Sequence, residues 1–174
     1  MPAFHSGFVA IVGRPNVGKS TLMNAMIGEK IAIVSNRPQT TRNRIMGVCT
    51  DEHSQIVFLD TPGLHKPHDA LGEELNTSAL KALEDVDVVA MLIDASQPIG
   101  RGDEWVVAQI ARSRAKKICV LSKTDLASDA EISAQREAAE KLCDWDAMVA
   151  LSAETGRNVD AFVEEVQFLL PEGP

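Results

Sequence analysis

The sequence predicts an α/β domain: six mostly parallel strands, one of them an antiparallel edge strand, with helices on both faces. Three observations predict it. Apolar runs of four to seven residues lack the in/out alternation of a half-exposed sheet, so they suit strands covered on both sides. Stretches with three-to-four apolar spacing separate those runs, the order expected of β-α units. The length of 174 residues suits one domain by a prior of about 150 residues each, and a chain of that size buries about 70% of its unfolded surface.

The elements follow in order. GFVAIV (7–12) is the first strand, followed by a helical run that ends near Gly28. NRIMGVCTD (43–51) meets 55–60 through a short turn around Glu52–Ser54, a spacing that suits an antiparallel hairpin at one edge. IVFLD (56–60) is the next buried strand. Leu75, Ala79, Ala82, Leu83 and Val86 then share one helical face. VVAMLID (88–94), ICVLS (118–122) and MVALS (148–152) complete the strands, and Val159, Phe162, Val163 and Val166 form the apolar face of a last helix. Five helices are expected. No repeat, low-complexity tract or linker precedes the closing PEGP, so a single domain over 1–174 is the expectation. Trp105 and Trp145 lie near helix ends and read as partly buried packing residues.

Composition excludes several classes. An apolar fraction of 45% with 24% charged residues is ordinary for a globular chain. No apolar run approaches the roughly 20 residues that span a bilayer, and MPAFHSGFVAIVGRP lacks the pattern of a secretory signal. A net charge of −8 argues against this segment wrapping a polyanion by charge alone. Cys49, Cys119 and Cys143 are odd in number and contain no CxxC pair, so they form neither a disulfide framework nor a zinc knuckle. Cys119 and Cys143 sit in apolar runs and read as small core residues of a reducing cytoplasm.

Gly13-Arg14-Pro15-Asn16-Val17-Gly18-Lys19-Ser20 follows the first strand and opens a helix. This GxxxxGK[ST] pattern, in its strand–loop–helix context, cradles phosphates. Gly13 and Gly18 permit backbone angles that let successive N–H groups converge on phosphate oxygens, and the helix adds its positive N-terminal end. Lys19 neutralises β- and γ-phosphates, and the Ser20 hydroxyl can ligate Mg²⁺. Asp60-Thr61-Pro62-Gly63 ends another buried strand about forty residues downstream. Its tip lies on the edge where open α/β sheets bind ligands. Asp60 can hold Mg²⁺ through a water, and the Gly63 N–H can report the presence of a γ-phosphate.

Ser122-Lys123-Thr124-Asp125 decides the base. The Asp125 carboxylate can accept from both guanine N1–H and the exocyclic amine, and adenine offers no such pair. The Lys123 stem can lie over the purine ring. Ser152-Ala153-Glu154 ends the last strand and can offer a backbone N–H to the base oxygen.

Together GRPNVGKS, QTTR (39–42), DTPG, SKTD and SAE resemble the five guanine-nucleotide elements of translation-factor-class GTPases, the G domains of the P-loop NTPase fold. GRPNVGKSTLMNAMIG, RPQTTRNR, LDTPGLHKP and LSAETGRNVD are similar to the Era-type bacterial GTPases of small-ribosomal-subunit assembly, over about residues 7 to 171. The resemblance implies a GTP-hydrolysing switch. Gly13, Asn16, Val17, Gly18, Lys19, Ser20 and Thr21 would bind the GTP or GDP phosphates, with Ser20 on Mg²⁺. Thr41 would close on Mg²⁺ and γ-phosphate, with Thr40 as the alternative hydroxyl. Residues 60–64, including Gly63, would form the second switch. Lys19, Thr41 and Gly63 would serve catalysis. Lys123 and Asp125 would hold guanine, helped by Ser122, Ser152 and Ala153. Asn16 either ligates K⁺ beside the phosphates, as in K⁺-stimulated relatives, or completes a turn.

The sequence departs from that pattern in places. Ser122 stands where the family has Asn, so the loop lacks a second amide arm. Leu64 stands where small signalling GTPases place a water-orienting Gln, which implies slow turnover. No GXXG RNA clamp follows the last helix, so contact with the small subunit or its 16S rRNA is expected through a KH domain that this chain does not contain. A monomer without DNA binding is expected, cytoplasmic or peripheral at the inner face of the membrane. Arg37, Arg42 and Arg44 read as a solvated loop in preference to an rRNA contact, and His65 and His68 lack the third ligand a metal needs. Two other readings remain. A metabolic phosphoryl transferase would need an acceptor pocket and an arginine lid that the sequence does not supply. A docking module with negligible turnover would use hydrolysis only to time release from RNA or protein.

Overall fold

In the computed structural model, residues 4–13, 19–26, 31–32, 44–60, 83 and 86–173 are described. Strands and helices alternate in the order β1 His5–Val12, α1 Lys19–Met26, β2 Ile31–Ala32, β3 Arg44–Thr50, β4 Ser54–Asp60, β5 Val88–Asp94, α2 Arg101–Ile110, β6 Lys116–Ser122, α3 Asp129–Glu140, β7 Ala147–Ala150 and α4 Val159–Leu169. The spatial order is β2-β3-β4-β1-β5-β6-β7. β4, β1, β5, β6 and β7 run parallel, and β3 is antiparallel to β4. All six predicted strands are therefore present.

Two details refine the expectation. The two-residue β2 pairs antiparallel with β3 and takes the edge position that the sequence gives to β3. The last strand stops at Ala150, short of the expected Ser152. Leu151 N–H still reaches Leu121 O at 2.9 Å, but Ser152 N–H turns to Arg157 O at 3.0 Å and Gly156 N–H closes on Ser152 O at 2.9 Å. A turn thus replaces the ladder there, with Gly156 at φ 81.

The sheet is buried on both faces, and β1, β4, β5, β6 and β7 divide their side chains between two cores. Val9, Ile11, Ile56, Phe58, Leu92, Ile118 and Val120 meet α1 through Leu22, Met23 and Met26, and α4 through Val159, Phe162, Val163 and Val166. The rings of Phe58 and Phe162 stack with centroids 6.3 Å apart. The other face carries Ala10, Val12, Val89, Met91, Ile93, Cys119 and Leu121, covered by Val106, Val107 and Ile110 of α2 and by Leu83, Val86 and Ala139. Leu83 and Val86 thus occupy the buried face expected of them, while Leu75, Ala79 and Ala82 lie outside the described residues. Trp105 and Trp145 pack partly buried at the margin of this core, and Trp145 Nε1–H donates to Ala139 O at 2.8 Å.

Local chemistry fixes the connections. Asp87 accepts from Phe8 N–H at 2.8 Å, and its carboxylate passes over Gly7 so closely that a Cβ there would collide with it. Ser128 caps α3, accepting from Glu131 N–H at 3.1 Å while Glu131 accepts in return from Ser128 N–H at 3.0 Å. The three cysteines are free thiols. Among the described residues, no helix is long and apolar enough to cross a membrane, and no cluster of three or more metal-ligating His, Cys, Asp or Glu occurs.

Candidate nucleotide site

Parallel β1, β4, β5, β6 and β7 all end on one edge of the sheet. Their tips carry Gly13, Asp60, Asp94, Ser122 and the Leu151–Ser152 turn. This edge is the ligand-binding edge of an open α/β sheet. Gly13 leaves β1 at φ 153, a value that favours glycine. Arg14 to Gly18, with Asn16 and Val17 among them, lie outside the described residues, as do Thr40, Thr41, Arg37, Arg42, Gly63, Leu64, His65 and His68. Ser20 and Arg44 are placed by their backbone alone.

Two charged groups converge at the β1–β4 end. Lys19, the first residue of α1, brings its Nζ within 3.8 Å of Asp60 Oδ1. That separation is an ion pair without a hydrogen bond, and among the described residues Asp60 Oδ1 is buried with no hydrogen-bond partner. A buried carboxylate oxygen left in this state is costly. It is a hard-oxygen donor beside the N-terminus of α1, the donor chemistry that Mg²⁺ takes.

At the β6–β7 end, a cavity of about 100 Å³ is lined by Thr21, Ser122, Lys123, Asp125, Leu126, Leu151, Ala153 and Glu154. Asp125 sits in a 3₁₀ turn, Thr124–Leu126, that Lys123 precedes in the left-handed conformation at φ 58. The Ser152 hydroxyl donates to Asp125 Oδ1 at 2.8 Å and accepts from Thr155 N–H at 3.1 Å. Thr124 N–H donates to Leu151 O at 3.2 Å. These bonds tie together the two loops that follow β6 and β7. Ser122, 3% exposed, donates from Oγ to Ile93 O at 3.2 Å. The hydroxyl is thus turned toward β5.

Two contributors were not found by sequence reasoning. Leu126 is 65% exposed beside the cavity, an apolar surface suited to the face of a planar ring. Asp94 ends β5, buried, with Oδ2 at 3.4 Å from Lys123 Nζ. Burial works to raise its pKa, but the Ser96 hydroxyl and N–H and the Lys123 ammonium outweigh it, so Asp94 stays below the usual carboxylate value. A carboxylate at the tip of a parallel strand was the available signal, the same one that marks Asp60.

Known proteins agree with this arrangement. The profile of the 50S ribosome-binding GTPase family matches residues 8–123. GTPase Era of Clostridium perfringens strain ATCC 13124 is 46% identical over 171 residues, which cover 98% of this chain and 58% of that protein. A crystal structure of Era in complex with MgGDPNP and nucleotides 1506–1542 of 16S ribosomal RNA superposes with a TM-score of 0.80 at 37% identity. It is covered over 59% of its length and this chain over 98%. A variant of Aquifex aeolicus Era bound to GDP and AlF4⁻ gives a TM-score of 0.78 at 37% identity, over 98% of this chain and 59% of its own. The chain thus spans a little under three-fifths of the relatives it matches. With this sheet edge and this similarity, it belongs to the 50S ribosome-binding GTPase family as an Era-type member.

Proposed function

We propose that this chain, as one GTPase domain over residues 1–174, binds guanine nucleotides and hydrolyses GTP as a switch in small-ribosomal-subunit assembly. The observation that carries the reading is the paired base cavity, where the Asp125 carboxylate is oriented by Ser152. An oriented carboxylate matches the two donors of guanine and mismatches adenine. Support for the ribosomal role comes from Era itself, crystallised with MgGDPNP and a 16S rRNA fragment. RNA contact would pass through a KH domain outside this chain, and the domain would act as a monomer in the cytoplasm.

The residues divide the work. Gly13, Asn16, Val17, Gly18 and Thr21 surround the phosphates, and Lys19 neutralises charge on the β- and γ-phosphates. Ser122, Lys123, Asp125, Ser152 and Ala153 hold the base. Thr41 and the Gly63 N–H close on the γ-phosphate and relax when it leaves. Mg²⁺, held by Ser20, Thr41 and Asp60, supplies positive charge to the phosphate oxygens when bound. The buried, unpartnered Asp60 Oδ1 supports that assignment. Rate acceleration of this kind is positioning and electrostatics. K⁺ at Asn16 would add to it.

Leu64 favours a second reading, in which hydrolysis is slow and times release from an RNA or protein partner. A side chain without a hydrogen-bonding group cannot orient the attacking water. Nucleotide titration with GDP, GTP and ADP, followed by phosphate release with and without 16S rRNA, tests both. Selective GDP binding with measurable turnover supports the switch. Equal affinity for ADP sinks the guanine reading, and turnover absent under every condition leaves the docking module.

A further inference from the structure

The β5 tip grips the base-binding loop at several points. Ala95 N–H donates to Ser122 O at 2.9 Å, Ser122 Oγ donates to Ile93 O at 3.2 Å, and Asp94 Oδ2 lies 3.4 Å from Lys123 Nζ. The first holds backbone against backbone and the second ties the Ser122 hydroxyl to the β5 backbone, and together they fix the loop's height. The third acts on the long Lys123 side chain, which lines the base cavity beside Ser122.

The Asp94 carboxylate is arranged for that contact. It is 5% exposed, and its Oδ1 accepts from Ser96 N–H at 2.8 Å and Ser96 Oγ at 2.5 Å. These donors fix the carboxylate plane and leave Oδ2 turned to the ammonium. Lys123 has its own backbone set in the left-handed region, φ 58 and ψ 37, a conformation that a non-glycine residue keeps only when its surroundings enforce it. A long, rotamer-rich side chain is thus anchored at its backbone and again at its tip. Its methylene stem between those anchors is pre-ordered along the wall of the base cavity. The Lys123 side chain then loses less conformational entropy when a ligand packs against it.

We propose that Asp94 is a positioning residue for nucleotide affinity, acting through Lys123 to hold its stem in the base-contacting conformation. This rests on the guanine-nucleotide reading above. Asp94 touches no ligand itself, so its effect must vanish when Lys123 cannot receive it. Asp94→Asn retains an oxygen for the Ser96 donors and places an amide where the ammonium needs an anion.

The test is a double-mutant cycle on the whole chain, with Asp94→Asn, Lys123→Met and the pair. Fluorescent GDP gives Kd, phosphate release gives kcat and KM, and thermal unfolding is followed in parallel. Asp94→Asn should weaken GDP about 3- to 10-fold, a coupling typical of neighbouring charged groups, and raise KM for GTP with kcat within about twofold. In the Lys123→Met background it should change Kd by less than about twofold. Multiplicative losses, or wild-type affinity in Asp94→Asn, would overturn the proposal, and so would a fall in kcat without a rise in KM. If Asp94→Asn does not fold, Asp94→Ser enters the same cycle with the same expected outcomes. Wild-type chain that binds GDP no better than ADP overturns the guanine reading and this inference together. GDP-selective wild type with additive losses overturns this inference alone.

Discussion

The Ser152 hydroxyl donates to Asp125 Oδ1 at 2.8 Å, joining two loops that leave different strands of the sheet. The bond uses one oxygen's lone pair and turns the carboxylate toward the cavity that Ala153 and Leu126 also line. Ser152 is itself fixed, 1% exposed and bonded to Thr155 N–H. On the proposed guanine reading, the acceptor is thus oriented before any ligand arrives.

Asp125→Asn should move nucleotide preference from GTP toward xanthosine triphosphate. The amide presents a donor where guanine also donates, whereas xanthine offers a carbonyl there. The loss for GTP should be large, because an unpaired polar group in the site costs about 1–3 kcal/mol. Competition titration with the two triphosphates measures it. Wild-type GTP affinity in the variant would remove Asp125 from the base-binding site.

Asp60→Asn should raise the Mg²⁺ concentration needed for GTP hydrolysis by about 10- to 100-fold, the usual effect of removing a supporting metal partner. GDP binding in the absence of Mg²⁺ should change far less. The reason is the state of Asp60 Oδ1, buried without a hydrogen bond and 3.8 Å from Lys19 Nζ. Magnesium titrations of turnover and of GDP affinity separate the two effects. An unchanged Mg²⁺ midpoint would mean that Asp60 serves only Lys19.

Much of this molecule is legible in its sequence, and the exceptions have physical causes. VVAMLID marks β5 at both ends because both faces are buried and every residue is apolar up to the tip. The two residues of β2 are too few to show any period, so sequence pattern cannot find them. The last strand was read two residues too long because Leu151 and Ser152 continue its buried run, while a turn hydrogen-bond pattern ends the ladder. In the site, Lys19, Asp60, Ser122 and Asp125 were found because each belongs to a short motif. Asp94 was missed because its meaning lies in Lys123, a neighbour just past the end of the adjacent strand rather than in the local sequence.

The thiols should resist modification in the folded protein. Burial pushes the Cys119 thiol up to about 12, and burial also raises the Cys143 thiol, which is only partly covered. Raised values leave little thiolate at pH 8, and the thiolate is the nucleophile. A disulfide reagent at that pH should label Cys143 slowly and leave Cys49 and Cys119 untouched. All three should react once the chain is unfolded. Fast labelling of Cys119 in native protein would contradict its burial.

Slow turnover is expected of this chain, and K⁺ at Asn16 is the lever proposed against it. Leu64 cannot orient a water, so charge on the departing phosphate and the closure of the first switch must supply the rate. Asn16, close in sequence to the phosphate-loop glycine and lysine, carries a side-chain carbonyl oxygen, the donor type a monovalent cation takes. A cation there adds positive charge near the β–γ bridging oxygen, where negative charge grows toward the transition state, and so favours it over bound GTP. Turnover should therefore be higher in K⁺ than in Na⁺ at equal ionic strength. Asn16→Ala should abolish the difference and leave GDP affinity nearly intact, because the base and Lys19 contacts remain. Steady-state phosphate release in matched chloride salts measures both. Equal rates in the two salts would reduce Asn16 to a turn former. Stimulation that survives Asn16→Ala would move the cation to backbone carbonyls of the first switch.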